Sequence, residues 1–239
     1  MKQATASAVP SSEGCRDSGG VYKKQTYKRS KRPRQPSPLQ RGVATATGYV
    51  KNQIFNFNMI DQIIEYNKSF VANKDYEQYL TDKYPDKKLA VLSCMDTRLT
   101  ELLPAALGLK NGDAKIIKNA GGLVISAFDS AMRSLIVAIY ELGVTNIMVV
   151  AHSHCGACHM SYDHFHEQML ARGITDQTLD TIRKCGIDLS HWLEGFKDTH
   201  ESVRRTVETI RTHPLVPTDI IVRGFIIDSE TGLLEEVAD

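Results

Sequence analysis

The chain has 239 residues, enough for one ordinary domain with an additional segment, or for two small domains, and enough to bury a real core. Its formal net charge of +1 conceals a split: residues 1–43 hold ten of the 29 Lys and Arg but only two acids, Glu13 and Asp17. That asymmetry predicts a basic tail and an acidic folded body. No apolar run approaches the ~20 residues needed to span a bilayer, and the Ser-, Gly- and Ala-rich start lacks the apolar stretch of a signal peptide, so a cytoplasmic protein is expected.

Residues 1–45 carry few large apolar side chains and many Ser, Gly, Pro, Lys and Arg. They cannot bury enough surface to offset the entropy of ordering, which predicts a disordered tail. The run Lys28-Arg29-Ser30-Lys31-Arg32-Pro33-Arg34 suits nucleic acid, a membrane surface or an import receptor. A solvated tail without function, with no nucleic-acid partner, is the favoured reading. Two others stay open: a true start at Met59, and an acid-poor transit peptide that lacks a clear amphipathic helix.

The folded body is expected from residue 54 to 239. Ile60, Ile63, Ile64, Asn67 and Val71 recur at helical spacing and predict an amphipathic helix over 59–72. Tyr84-Pro85-Asp86 marks a turn. Leu89 to Leu92 reads as a buried strand that stops at Ser93-Cys94, and 100–107 reads as a helix. Ala114 to Ile117 forms a second strand, followed by Asn119-Ala120-Gly121-Gly122. A long helix over 126–142, with Ala127, Ala131, Leu135 and Ala138 on one side, ends at Gly143. Asn146 to Ala151 is the third and most apolar strand, and the chain beyond Cys155 is mostly helical as far as Pro214. Asp219 to Ile227 makes a fourth strand, Ser229-Glu230-Thr231-Gly232 a turn, and Leu233 to Val237 a fifth, edge strand. This alternation predicts an α/β fold, a mostly parallel central sheet of four to five strands flanked by helices.

Two segments carry chemistry: Cys94-Met95-Asp96-Thr97-Arg98 after the first strand, and His152-Ser153-His154-Cys155-Gly156 after the third. Open α/β sheets place their sites at the carboxyl ends of strands, so distant segments converge there. The five cysteines, Cys15, Cys94, Cys155, Cys158 and Cys185, are odd in number and unevenly spaced. In a reducing compartment such a set points to metal ligands, nucleophiles or buried residues rather than disulfides. Two thiolates (Cys94, Cys155) and one imidazole (His152) suit zinc, and three protein ligands leave a fourth position for water, as in catalytic zinc sites. Zinc lowers the pKa of that water to ≈ 7. Two thiolates blunt this acidification, so other groups must assist. Asp96 and Arg98, two apart and on one side of an extended backbone, are the candidates. A bidentate pair would keep the carboxylate off the metal while it orients the water.

Cys-x-Asp-x-Arg and His-x-x-Cys, with Asn-Ala-Gly-Gly between them, resemble the β-class carbonic anhydrases, over about residues 59–237. The likeness is nearest to the small bacterial and archaeal members. It implies one zinc per subunit on Cys94, His152 and Cys155, with Asp96 as an occasional fourth ligand that Arg98 holds by a salt bridge in the active state. It further implies a homodimer or a multiple of dimers, with a pocket lined by Asn119, Gly121, Gly122 and Gly156. The activity implied is reversible hydration of carbon dioxide to bicarbonate. The second motif departs from the Asp and Cys-Gly-Met often found in small bacterial members: His154 precedes Cys155, and Ala157 follows Gly156.

Other readings remain. Carbon disulfide or carbonyl sulfide hydrolysis would use the same metal site, and a non-catalytic zinc protein would recruit Cys158 or His154 as fourth ligand. Cys155-Gly156-Ala157-Cys158 also fits a redox C-x-x-C, although Cys158 is expected as a small buried residue on the next helix. His164 and His166 are expected on a helix surface and His154 in an exposed loop, with a proton shuttle as the alternative for His154. His159 stays open. Cys185 and Trp192 are read as packing residues.

Overall fold

Short apolar runs separated by helical segments cannot pair as hairpins, so they stack as parallel strands with helical crossovers. The computed structural model describes residues 58–238. The expected basic tail and the first residues of the expected body lie outside the described residues. Among the described residues no helix is long and apolar enough to cross a membrane. Contacts divide the described chain between Thr81 and Leu80 into two units.

The smaller unit holds α1 (Met59–Ala72) and a 3-10 turn at Glu77–Tyr79. The helix begins where expected, because Asn58 and Asp61 form a reciprocal capping box: each side chain accepts a hydrogen bond from the other's backbone N–H. Its periodicity is helical, but Ile60, Ile63, Ile64 and Val71 are all exposed.

The larger unit is a five-stranded sheet in the order β2-β1-β3-β4-β5. Its strands are β1 (Leu89–Cys94), β2 (Ala114–Asn119), β3 (Asn146–His152), β4 (Ile221–Ile227) and β5 (Leu234–Glu236). The first four run parallel, and β5 pairs antiparallel with β4 as the expected edge strand. The chain leaves β1 for β2 on one side and returns to β3 on the other. That reversal opens a crevice at the carboxyl ends of β1 and β3. Both are buried on both faces, and the one buried hydroxyl of β1, on Ser93, donates to the Val150 carbonyl at 2.7 Å.

One face of the sheet is covered by α3 (Ser130–Leu142) and α7 (Thr199–Arg211). Ala131, Met132, Leu135, Ala138 and Ile139 pack there with Val203, Val207 and Ile210. The other face carries α2 (Leu99–Ala106), whose Leu99 and Leu103 meet Val91, Val150 and Ile227. The region after β3 breaks into α4 (Tyr162–Ala171), α5 (Asp176–Lys184) and α6 (Leu189–Trp192) before α7.

Three expectations are corrected. The long helix begins at residue 130 rather than 126, because Asp129 caps it: the carboxylate accepts from Met132 N–H at 2.8 Å and from Ile125 N–H at 2.7 Å. Ala127 therefore precedes the helix. Cys185 and Trp192 do not serve packing. The α5 helix buries only Leu179 and leaves Cys185 exposed at its end, and Trp192, on a single helical turn, is 59% exposed. The capping claim is testable: Asp129→Ala should lower unfolding free energy by about 1–2 kcal/mol, read as a lower urea midpoint at unchanged slope. A midpoint equal to wild type would show that the cap contributes nothing.

Candidate metal centre

The carboxyl ends of β1 and β3 place Cys94 and His152 side by side. Ser93 lies opposite Val150, and each strand ends within two residues of that pair. Beyond β3 the chain reverses at His154, whose φ of 54° is uncommon for a residue with a Cβ. The reversal carries the Cys155 sulfur to 3.8 Å from that of Cys94. The ligand atoms of Cys94, His152 and Cys155 all lie within 4.8 Å of one another, and all three residues are buried.

The donor set fits a tetrahedral dication. Two sulfurs each ~2.3 Å from zinc at a tetrahedral angle stand roughly 3.8 Å apart, as these do. His152 Nδ1 lies 2.9 Å from the Ser153 carbonyl; as donor there it leaves Nε2 as the lone-pair nitrogen, the usual arrangement for a metal-bound imidazole. Nε2 is fully buried without a hydrogen-bond partner, a costly state unless something binds it. The thiols show the same demand. Cys94 is held down to about 4, chiefly by the hydrogen bond with Cys155 and further by the backbone N–H groups of Asp96 and Gly121, against the opposing effect of burial. Cys155 is driven up by that same interaction with Cys94 and by burial. The two thiols are thus pushed in opposite directions by their shared contact.

Among the described residues no fourth Cys or His joins the cluster. His154 is exposed. Cys158, expected to be buried on a helix, is half-buried on the 3-10 turn Gly156–His159. The nearby acid is Asp96, whose Oδ2 stands 4.0 Å from His152 Nε2. Arg98 holds that carboxylate as a fork: Nε donates to Oδ1 at 3.0 Å and Nη2 to Oδ2 at 2.8 Å, while the Arg98 backbone N–H also donates to Oδ1 at 2.9 Å. The guanidinium keeps Asp96 down to about 2. The pair does not form through an extended backbone, as expected from the sequence. The strand ends at Cys94 and a turn closes from Asp96 to Leu99, so the two side chains meet across a bend.

The Asn119–Gly122 loop sits against this site. The Asn119 side chain braces the loop, donating to the Leu123 carbonyl at 2.7 Å and accepting from Leu123 N–H at 3.0 Å. The Asn119 carbonyl accepts from Met95 N–H at 2.9 Å. Gly122 has φ of +70°, and a Cβ there would stand 2.9 Å from the Cys94 nitrogen; the backbones touch because there is no side chain between them. Gly121 is buried, whereas Gly156 faces open space. His159 and His164 are exposed, while His166 pairs with Asp176 at 2.9 Å.

Three contributors were not singled out from the sequence. Ser153 and Ser229 support the imidazole and Arg98 through hydroxyl and carbonyl contacts. Gly195 presses on the loop after Cys155, where a Cβ would come within 1.8 Å of the Ala157 carbonyl oxygen. A glycine in a stretch otherwise read as helical was the one available hint for Gly195; nothing marked the serines.

Residues 89–234 match the family model described as carbonic anhydrase. The chain belongs to the β-class carbonic anhydrase family. The Bacillus subtilis protein named "Putative carbonic anhydrase YtiB" is 44% identical over 182 residues, covering 76% of this chain and 97% of that one. The crystal structure of a β-carbonic anhydrase from Trichomonas vaginalis superposes with a TM-score of 0.70 at 33% identity, covering 76% of this chain and 98% of that one. A carbon disulfide hydrolase from Acidithiobacillus thiooxidans is 32% identical over 158 residues, covering 62% of this chain and 76% of its own. The β-carbonic anhydrase fold and the Cys94-His152-Cys155 cluster thus occur together in this chain.

Two measurements probe the site as described. Gly122→Ala should push Cys94 out of place and weaken zinc binding about 10–100-fold, read by competition with a chromophoric chelator; wild-type affinity would mean the close approach is dispensable. Asp96 offers a pH test in metal-free protein. Its folded pKa of about 2 lies below the ordinary 3.8. Its contribution to stability is therefore present above about pH 4 and lost as pH falls toward 2. Arg98→Met abolishes that depression, so the stability gap to wild type should be full at pH 6 and narrow below pH 4. A gap independent of pH would remove the ion pair as its cause.

Proposed function

We propose that this carbonic anhydrase family member is a zinc enzyme that interconverts carbon dioxide and bicarbonate. The observation that carries the reading is the buried cluster of two thiols and one imidazole with Nε2 unpartnered, beside a carboxylate tied back by an arginine. Zinc held by Cys94, His152 and Cys155 would supply Lewis acidity and lower the pKa of a bound water toward ≈ 7, less strongly than an all-histidine set would.

The chain's own residues then have distinct tasks. Asp96, ionised at any physiological pH, accepts a hydrogen bond from the attacking water and orients its lone pair toward the carbon. Arg98 engages both carboxylate oxygens, which keeps Asp96 from becoming the fourth ligand. The Asn119 to Gly122 loop and Gly156 line the approach for a small linear substrate. One C–O bond forms as one C=O π bond of carbon dioxide opens onto its oxygen, bicarbonate departs, and the proton lost from the water's O–H passes to solvent. The free thiols of Cys94 and Cys155 are compatible with the cytoplasmic setting read from the sequence. A homodimer or a multiple of dimers is supported by α1, whose apolar side chains are exposed and call for a cover. The basic residues 1–45 are assigned no part in catalysis.

A specific observation favours one rival: the 32% identity to a carbon disulfide hydrolase, which would place CS2 or carbonyl sulfide in the same pocket. Stopped-flow hydration of CO2 by the purified zinc protein, beside release of sulfide from CS2, separates the two. CO2 hydration without sulfide release is expected; zinc-loaded protein inert toward CO2 above about pH 8 would sink the proposal. Asp96→Ala should keep zinc and lose about 10²-fold or more in rate, whereas Cys94→Ser should lose metal and activity together.

A further inference from the structure

Arg98 is held on more than its Asp96 side. Its Nη2 also donates to the His154 carbonyl at 2.9 Å, and its Nη1 donates to the Ser229 hydroxyl oxygen at 3.2 Å. Ser229 is buried, directly after β4 in the turn toward β5. Its own hydroxyl hydrogen points the other way, donating to the Ser153 carbonyl at 3.2 Å. That carbonyl is the same oxygen that faces His152 Nδ1 at 2.9 Å. The Ser229 position is itself pinned, since its N–H donates to Ser153 Oγ at 3.0 Å, and the next residue back, Asp228, fixes the turn through the N–H groups of Glu230 and Thr231.

We infer that Ser229 is a positioning residue that couples the orientation of Arg98 to that of the His152 imidazole through the Ser153 carbonyl. One buried hydroxyl touches both arms of the site: it accepts from the guanidinium that restrains Asp96 and donates to the oxygen that orients the ligand ring. Without it, Nη1 loses the Ser229 hydroxyl as an acceptor, the fork on Asp96 loosens, and the carboxylate swings toward the metal position. The Ser153 carbonyl would also lose one of its two donors. The inference rests on the metal reading of the cluster but not on which substrate is turned over.

The test uses the full chain and two variants, Ser229→Ala and the near-isosteric Ser229→Cys, which carries the test if the alanine protein does not fold. The first readout needs no metal. The Arg98 Nε–H signal in the 1H–15N spectrum, identified by its absence in Arg98→Lys, should exchange with solvent about tenfold faster in either variant, the size expected for one lost hydrogen bond to a charged group. The second uses the cobalt(II)-loaded protein and thiocyanate titrated against the visible cobalt bands. Thiocyanate should bind about tenfold more weakly in the variants, because Asp96 competes for the open position. Adding Asp96→Asn should restore it. Ser229→Thr, which keeps the hydroxyl, should behave as wild type in both. Wild-type Nε–H exchange and wild-type thiocyanate affinity in a folded Ser229→Ala or Ser229→Cys protein would overturn the inference. So would a thiocyanate loss that Asp96→Asn leaves in place. If wild type itself bound no cobalt, the metal reading would fall, while the Nε–H measurement would still decide whether Ser229 holds Arg98.

Discussion

Two thiols with sulfurs 3.8 Å apart in a buried setting cannot both ionise without a cation between them. The opposite pKa displacements of Cys94 and Cys155 express that conflict in the metal-free chain. A dication removes it and at the same stroke satisfies the unpartnered His152 Nε2. Everything nearby serves to keep the three donors where only such an ion reconciles them. The two strand ends come from β1 and β3, adjacent parallel strands buried on both faces. The His154 reversal and the glycine contact at Gly122 set the remaining approach.

The same constraint explains why the site needs help from its surroundings. Thiolates donate charge to a metal and weaken its pull on a bound water, so a neighbouring carboxylate is useful as an acceptor. Yet a free carboxylate 4.0 Å from His152 Nε2 is also a ready ligand. The Arg98 fork resolves this: it engages both oxygens of Asp96 and keeps the charge oriented rather than removed. On the proposed zinc reading, Asp96 would then act as an acceptor without occupying the position that substrate chemistry requires.

The fold was largely legible because its signals are local. Apolar runs, Gly143 and the edge position of the last strand all follow from spacing, and the order of strands and helices matched. The start of α3 was missed because the capping oxygen of Asp129 outweighs the apolar alanine before it. The clustering of Cys94, His152 and Cys155 was legible because Cys and His are scarce and sit at or just beyond strand ends. Asp96 and Arg98 were paired correctly, but for a different reason: a turn brings them together, which alternation along a strand cannot foresee. Ser153 and Ser229 lie 76 positions apart, and serine is common, so no pattern in one sequence can join them. The exposed face of α1 shows the reverse limit. Periodicity announces an apolar stripe but not what covers it.

Arginine at position 98 is more than a positive charge. Its guanidinium places Nε and Nη2 on Asp96, Nη2 again on the His154 carbonyl, and Nη1 on Ser229. Those acceptors lie around one plane, which a rigid five-donor fork can meet at once. A lysine would bring the same charge as a point, reaching one oxygen of Asp96 and leaving the other free to turn toward the metal. Since the His154 carbonyl and Ser229 belong to the segments after β3 and β4, Arg98 also ties the ends of β1, β3 and β4 together across the crevice. The gate on the carboxylate and the clamp on the strand ends are therefore one side chain.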